Sequence, residues 1–329
     1  MKKGKLFPGN FRNGIQAFFA ILSIYIGWQF YNYYRYLETS GMAGRAFRPP
    51  GVEAFIPLSS LVGLRAWLGT GTFDPVHPAG LAILLTAILI SFLFRKSFCG
   101  WICPFGFLEE LLAGVGGKIF SKRLAVPRWL DNLLRSLKYI LLAFFVGSVF
   151  SMATEAAVSF VDLPYNKIVD IKMLMFFLNI SVKGLLVFGF LIFMSILFDH
   201  FWCRYLCPYG ALMGLAGWLS PSSIKRNREL CVNCRACDKA CPAHLKVSEV
   251  KTVLSPECND CLNCTESCPV PGALENTFMG KPGRTKYVLP LAMLAVFAAA
   301  VAAAKVTGHW NSGVTLNEVS TLYRDIGNL

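Results

Sequence analysis

The chain has 329 residues, of which 55% are apolar, 14% aromatic and only 16% charged, with a mean hydropathy of +0.51. The apolar share lies above that of soluble domains and the charged share below it, which excludes an ordinary water-soluble domain and points to a membrane protein. The formal net charge of +13 does not indicate nucleic acid, because the basic residues follow a membrane pattern and form no base-reading motif.

The first apolar run, Ile15–Tyr34, follows Lys2, Lys3, Lys5 and Arg12. It resembles a signal peptide only superficially, since it is long and lacks a small-residue cleavage site, and it reads as a span. Trp28, Tyr31, Tyr33 and Tyr34 suit the headgroup region. The segment Arg35–Pro78 ends in Thr72-Phe-Asp-Pro-Val-His-Pro78, where Asp74 and His77 are candidate quinol contacts because carboxylates and imidazoles move protons near neutral pH. A plain turn-forming role is open to the same residues. The second run, Ala79–Phe94, is flanked by Arg95 and Lys96, which would snorkel to the interface. Next comes Phe98-Cys-Gly-Trp-Ile-Cys-Pro-Phe-Gly106. Runs at Tyr139–Ala153 and Gly184–Phe198 follow, then His200 and a second such stretch, Trp202-Cys-Arg-Tyr-Leu-Cys-Pro-Tyr-Gly210. His200, three residues before Cys203, is a third candidate quinol contact. A fifth run, Tyr287–Ala304, precedes the tail. Each run is near the length that crosses a hydrocarbon layer of roughly 30 Å as a helix.

Both Cys-x-x-x-Cys-Pro stretches follow a pair of apolar runs, so the chain reads as internally duplicated. Cysteines four apart share one face of a helix, and the two pairs, Cys99 with Cys103 and Cys203 with Cys207, would close a single four-thiolate metal site. Pro104 and Pro208 suit the first turn of a new helix. Redox-active thiols and small buried hydrophobes are the competing readings of these four cysteines.

The most specific chemistry lies between the second stretch and the last run. Cys231, Cys234, Cys237 and Cys241-Pro are followed by Cys258, Cys261, Cys264 and Cys268-Pro, two copies of the bacterial ferredoxin spacing. Thiolates so spaced wrap iron–sulfur cubes, three from one run and one from the other. The first cluster would use Cys231, Cys234, Cys237 and Cys268, and the second Cys258, Cys261, Cys264 and Cys241. Zinc or disulfides are poor fits to this doubled arrangement on the reducing side of a membrane. No Cys-x-x-Cys-His occurs, so covalent haem is not expected. The Gly-rich pieces lack a phosphate-loop context, and no flavin site is placed.

If five spans begin inside, the segments 1–14, 95–138 and 201–286 hold 23 of the 32 Lys and Arg residues, which places the N-terminus and the ferredoxin segment in the cytoplasm. Lys225, Arg226 and Arg228 at its entry and Lys281, Arg284 and Lys286 at its exit would face phospholipid or, alternatively, an acidic soluble partner. The expected fold is a mainly α membrane protein of about five transmembrane helices in two repeated hairpins, with a small α+β dicluster ferredoxin domain. Its expected divisions are a membrane domain over 1–221, the ferredoxin domain over 222–285, and a fifth helix with an extracytoplasmic tail over 286–329.

Over roughly residues 79–270, the paired Cys-x-x-x-Cys-Pro stretches and the two-cluster run resemble the membrane polyferredoxin family of NapH and NosR type. The resemblance implies quinol oxidation, two [4Fe-4S] clusters, and electron delivery to cytochrome or ferredoxin subunits of a larger complex in the bacterial inner membrane. The chain would then be a redox subunit of a quinol dehydrogenase. A different class stays open: a metal-handling assembly factor similar to the oxidase-assembly polyferredoxins, in which Cys99, Cys103, Cys203 and Cys207 bind Cu(I).

Overall fold

The computed structural model describes residues 10–120, 126–282 and 287–325. Lys2, Lys3 and Lys5, and Arg284 and Lys286 of the basic exit, lie outside the described residues. Helices in chain order are α1 Asn10–Glu38, α2 Pro57–Thr70, α3 Pro78–Phe94, α4 Ser97–Trp101, α5 Pro104–Ile119, α6 Arg128–Phe150, α7 Thr154–Asp162 and α8 Pro164–Lys167. They continue as α9 Val169–Leu178, α10 Val182–Leu197, α11 Pro208–Trp218, α12 Ala236–Ala240, α13 Asn263–Glu266, α14 Val288–Val306 and α15 Leu316–Arg324.

All five apolar runs fall on helices (α1, α3, α6, α10 and α14), as they must where no water is available to satisfy backbone groups. By length and composition α1, α6 and α14 can cross a membrane, and α9 with α10, bent by 86° at their break, adds a fourth span if the pair crosses as one and a re-entrant loop if it does not. The remaining apolar helix, α3, has 17 residues, or about 26 Å of rise, and is mostly buried: Leu81, Ala87 and Ile90 are fully covered, while Leu89 and Phe92 are exposed. By contrast, Phe18 and Ile24 on α1, Ile140 and Phe144 on α6, and Leu185 and Leu186 on α10 are exposed, as side chains facing hydrocarbon would be.

The chain forms two compact units. Unit 1 takes residues 1–20, 87–142 and 186–297, and unit 2 takes 21–86, 143–185 and 298–329. Unit 1 contains a four-stranded antiparallel sheet of β1 Ser222–Arg226, β2 Thr252–Val253, β3 Leu274–Phe278 and β4 Lys281–Pro282, in the order β2-β1-β3-β4. β1 leads into the first ferredoxin run and β3 leaves the second. Their register, Ser222 opposite Phe278 through Arg226 opposite Leu274, sets both runs at one end of the sheet. Ile224, Val253, Leu262 and Leu274 join Phe98, Trp101, Met213 and Leu289 in one apolar core.

Unit 2 has two smaller cores. Phe30, Tyr33, Tyr34, Leu37, Ile168 and Ile171 form one, and Val62, Ala66, Val149, Ala157 and Val161 form the other. Of the four expected headgroup aromatics, only Trp28 and Tyr31 are exposed, while Tyr33 and Tyr34 pack inward. The snorkelling role expected of Arg95 and Lys96 is also corrected, since both are buried in unit 1. Arg95 donates through Nη1 to the Val253 carbonyl at 2.8 Å and through Nη2 to the Ser255 carbonyl at 3.0 Å, so its charge is spent on ferredoxin-segment backbone instead of headgroups.

Candidate metal centres and the buried charges around them

The two ferredoxin runs bend in the same way. Asn233 and Arg235 after Cys231 take left-handed backbone angles (φ 54° and 56°), as do Asp260 and Leu262 after Cys258 (φ 46° and 62°). Such angles cost a side chain about 1–2 kcal/mol each, least for Asn and Asp, so their recurrence at matched positions marks an imposed loop. Each loop ends in a single helical turn, α12 or α13, that carries the third cysteine, Cys237 or Cys264.

Two pockets result. One is lined by Cys231, Cys234, Cys237 and Cys268, and the other by Cys241, Cys258, Cys261 and Cys264. The first has an exposed rim at Val232, Cys234, Arg235 and Pro269, whereas no lining residue of the second is exposed. Burial pushes the Cys258 and Cys261 thiols up to about 12, so bare thiols there hold their protons at neutral pH and a metal must displace them. In the outer pocket the Asn233 amide and Arg226 draw Cys231 down instead. Among the described residues, no three His, Cys, Asp or Glu side chains are drawn together to hold one metal ion. Four soft donors set around a cavity fit a polynuclear iron–sulfur group, each corner of which takes one thiolate.

The duplicated stretches also meet in unit 1. Contrary to the expected single helical face, each cysteine pair straddles a break. Cys99 is in α4 and Cys103 caps α5, while Cys203 lies in the wide turn Trp202–Leu206 and Cys207 caps α11. The cause is proline, which disfavours helical angles at the residue before it, and Cys103 (ψ 120°) and Cys207 (ψ 105°) are extended. Pro104 and Pro208 begin the next helices, and the Gly210 amide donates to Cys207 Sγ at 3.2 Å. Gly106 lets α5 turn back on the first stretch, since a Cβ there would stand 2.3 Å from the Cys99 carbonyl oxygen. The four thiols lie within electrostatic reach of one another, and Lys96 faces them. Burial pushes Cys99 up to about 12 and Cys103 up to about 11.

Hydrogen bonds tie this quartet to the inner ferredoxin pocket. Trp101 Nε1 donates to the Asp260 carbonyl at 3.0 Å, and Arg12 donates to the Gly100 carbonyl at 3.0 Å and to Asn263 Oδ1 at 3.1 Å while paired with Glu110. Glu257, next to Cys258, accepts from Lys138 Nζ at 2.5 Å and Tyr139 OH at 2.8 Å, and Lys96 Nζ stands 3.9 Å away. Sequence reading missed Lys96, Lys138 and Glu257. The available signal was ionisable residues within or beside apolar stretches, which by default mark functional sites.

The three candidate quinol contacts fall in different units. Asp74 and His77 belong to unit 2 and His200 to unit 1. Asp74 Oδ1 accepts from the Val76 and His77 amides at 2.8 and 2.9 Å, which makes it the turn former of its segment. His77 is not a surface residue. It is fully buried, with Nε2 2.8 Å from the Asn166 carbonyl and Nδ1 3.6 Å from Glu53. Burial opposes its charge, yet Glu53 raises its pKa above the ordinary histidine value. Arg48 pairs with Asp170 at 2.8 Å in the same unit. His200 takes a left-handed angle (φ 56°), and burial pushes its pKa down to about 4 against the pull of Glu110 and Asp199.

Comparison with known proteins adds the lineage. The family model of a 4Fe-4S binding domain matches twice, over residues 76–123 and 181–227, once across each Cys-x-x-x-Cys-Pro stretch. The model of a 4Fe-4S dicluster domain matches residues 223–282. YccM of Escherichia coli (strain K12), provisionally named as an electron transport protein, is 39% identical over 311 residues, covering 92% of this chain and 87% of YccM. The ferredoxin-type protein NapH of Haemophilus influenzae is 29% identical across 58% of this chain and 67% of its own length. The regulatory protein NosR of Stutzerimonas stutzeri is 28% identical across 55% of this chain, which spans only 24% of NosR. No solved structure matches the chain. With the doubled binding-domain match, the dicluster match and near full-length similarity to YccM, the chain belongs to the membrane polyferredoxin family of NapH and NosR type.

Proposed function

We propose that the chain is a membrane electron-transfer subunit that passes electrons between quinol and a partner redox protein, a cytochrome or ferredoxin subunit of a larger inner-membrane complex. The observation that carries this reading is the presence in one unit of two crossed four-thiol pockets and a third four-thiol quartet beside the shielded one. Cys231, Cys234, Cys237 and Cys268 would hold one [4Fe-4S] cluster, Cys258, Cys261, Cys264 and Cys241 the other, and Cys99, Cys103, Cys203 and Cys207 a third metal centre. Bound clusters supply one-electron chemistry that no protein side chain here offers.

The chain's own residues prepare the sites. Burial around Cys258 and Cys261 excludes water, and the Leu245 amide donates to Cys241 Sγ at 3.4 Å, which favours the reduced, more negative state of a thiolate-held centre. Quinol oxidation releases protons. The candidate groups to receive them are Asp74 and the Glu53–His77 pair, if unit 2 opens to admit quinol, while His200, held neutral by burial, would pass a proton on and not keep it. The charge asymmetry supports a cytoplasmic ferredoxin domain over 222–285 between a membrane domain over 1–221 and a last helix with an outer tail over 286–329.

In nanodiscs, the anaerobically purified chain is expected to hold roughly eight irons in its ferredoxin pockets, in the manner of a two-cluster ferredoxin, and a reduced quinol analogue is expected to reduce them. Stoichiometric zinc without labile sulfide would reject the cluster assignment. Iron-replete protein that no quinol reduces, with tight copper lost on serine substitution of the membrane quartet, would replace this reading with metal handling.

A further inference from the structure

Lys96 is placed where two separate features meet. It faces the membrane quartet: a Cβ at Gly210 would touch Lys96 Nζ at 3.5 Å and Cys207 Sγ at 3.6 Å, so ammonium and thiol border the same small space. Its other neighbour, Glu257, is already taken. The Glu257 carboxylate receives Lys138 Nζ at 2.5 Å and Tyr139 OH at 2.8 Å, while Lys96 Nζ stands off at 3.9 Å. Two ammonium groups, both on side chains no more than 6% exposed, thus share one carboxylate and leave one positive charge over. A buried surplus charge is strongly unfavourable unless an opposite charge stands nearby. The groups Lys96 faces on its other side are four thiols, which become anionic when they ligate a metal.

We infer that Lys96 is the fixed counter-charge of an anionic metal–thiolate centre held by Cys99, Cys103, Cys203 and Cys207, with Glu257 setting how much of that charge the centre feels. The inference rests on the reading of these four cysteines as a metal site and adds the residue that tunes it. Lys96 is a positioning residue: it ligates nothing and acts through the field at the sulfurs. The sign follows from electrostatics. Adding an electron makes the centre more negative, so a nearby positive charge favours the reduced form, and a nearby negative charge disfavours it.

The test uses the full chain, purified anaerobically in nanodiscs, with metal per chain measured and the midpoint potential of each centre read by mediated titration followed by electron paramagnetic resonance. In Lys96→Met, the potential of the quartet's centre is expected to fall, or its metal to be lost, while Lys96→Arg stays near wild type. In Glu257→Gln the potential is expected to rise, and opposite shifts from two substitutions at one site are not what loosened packing produces. The cluster at Cys231, Cys234, Cys237 and Cys268 serves as the internal reference and is expected to keep its potential. A Lys96→Met protein with full metal and an unmoved potential overturns the inference alone. A wild-type chain with no metal that depends on the four cysteines overturns the underlying reading and the inference with it. If Lys96→Met also loses the reference cluster, Glu257→Gln decides: an upward shift supports the inference, and an unmoved or lowered potential overturns it.

Discussion

His77 illustrates how a single buried residue makes one unit sensitive to pH. Its imidazole is enclosed with Glu53 3.6 Å from Nδ1, and the Arg48–Asp170 pair lies in the surrounding field. Because Glu53 raises the folded pKa above the 6.5 of an ordinary histidine, the stabilisation is complete below that value and is lost as pH rises through the raised one. Unit 2 is therefore expected to melt at lower temperature as pH climbs above the ordinary histidine value of 6.5, and His77→Gln should flatten that dependence; circular dichroism melts in nanodiscs check both. Replacing His77 by Leu leaves the Glu53 carboxylate only the Gly80 amide, at 3.0 Å, and the more distant Arg48, and should cost up to about 3–5 kcal/mol, the usual penalty for breaking a buried pair. The cysteines give a second expectation. Cys268 lines the pocket of the first run and Cys241 that of the second. Cys268→Ser should disturb the cluster whose other ligands are Cys231, Cys234 and Cys237, and Cys241→Ser the one at Cys258, Cys261 and Cys264. Damage confined to the cluster of each cysteine's own run would contradict the crossed assignment.

Among the elements, α5 shows how closely the backbones pack. A Cβ at Gly116 would lie 2.0 Å from the Ile196 carbonyl oxygen at the end of α10, and backbone cannot rotate aside as a side chain can. Gly116→Ala should therefore separate these helix ends and destabilise unit 1 by about 1–3 kcal/mol, the range for overpacking. A lower melting temperature together with reduced iron retention would be the observed result, and an unchanged melt would show that the helices part freely. The same scale separates what the sequence made legible from what it concealed. Apolar runs register as helices because hydrocarbon length and backbone satisfaction leave no alternative, and prolines 104 and 208 announced the starts of α5 and α11. The spacing of the eight ferredoxin cysteines was equally visible. Hidden were features that depend on a distant partner. Lysine at the end of an apolar run looks the same whether it snorkels or, like Lys96, turns inward toward Glu257, 161 positions along the chain. The break inside each Cys-x-x-x-Cys pair was concealed differently: an i, i+4 spacing suggests one helical face, and only the restriction imposed by the following proline, which outweighs it, opens the backbone.

For the molecule as a whole, the duplicated plan and the distribution of charge should agree on topology. One family model matches once across each Cys-x-x-x-Cys-Pro stretch, at residues 76–123 and 181–227. Two copies related in this way face the same side of a membrane only if an even number of crossings separates them. The helix α6, together with the bent pair α9–α10 counted as one span, gives two crossings between the stretches, and that is the count under which both cysteine pairs reach one quartet. On the five-span reading, in which α3 crosses as well, charge predicts the absolute direction: the segments 1–14, 95–138 and 201–286 hold 23 of the 32 Lys and Arg residues, and basic loops favour the cytoplasmic side. Reporter fusions to the otherwise intact chain test the combination. A reporter that works only after export should be inactive when joined after residue 240 and active when joined after residue 309, and a cytoplasm-dependent reporter should give the reverse pattern. Labelling of cysteines added one at a time to the otherwise intact chain in whole cells offers an independent reading, with an impermeant reagent expected to label a cysteine added at His309, but not one added at Glu229, above the level of the unsubstituted chain. Export activity after residue 240 would invert the arrangement, move the ferredoxin pockets to the oxidising face, and remove the physical ground for reduced, cluster-ready thiols there.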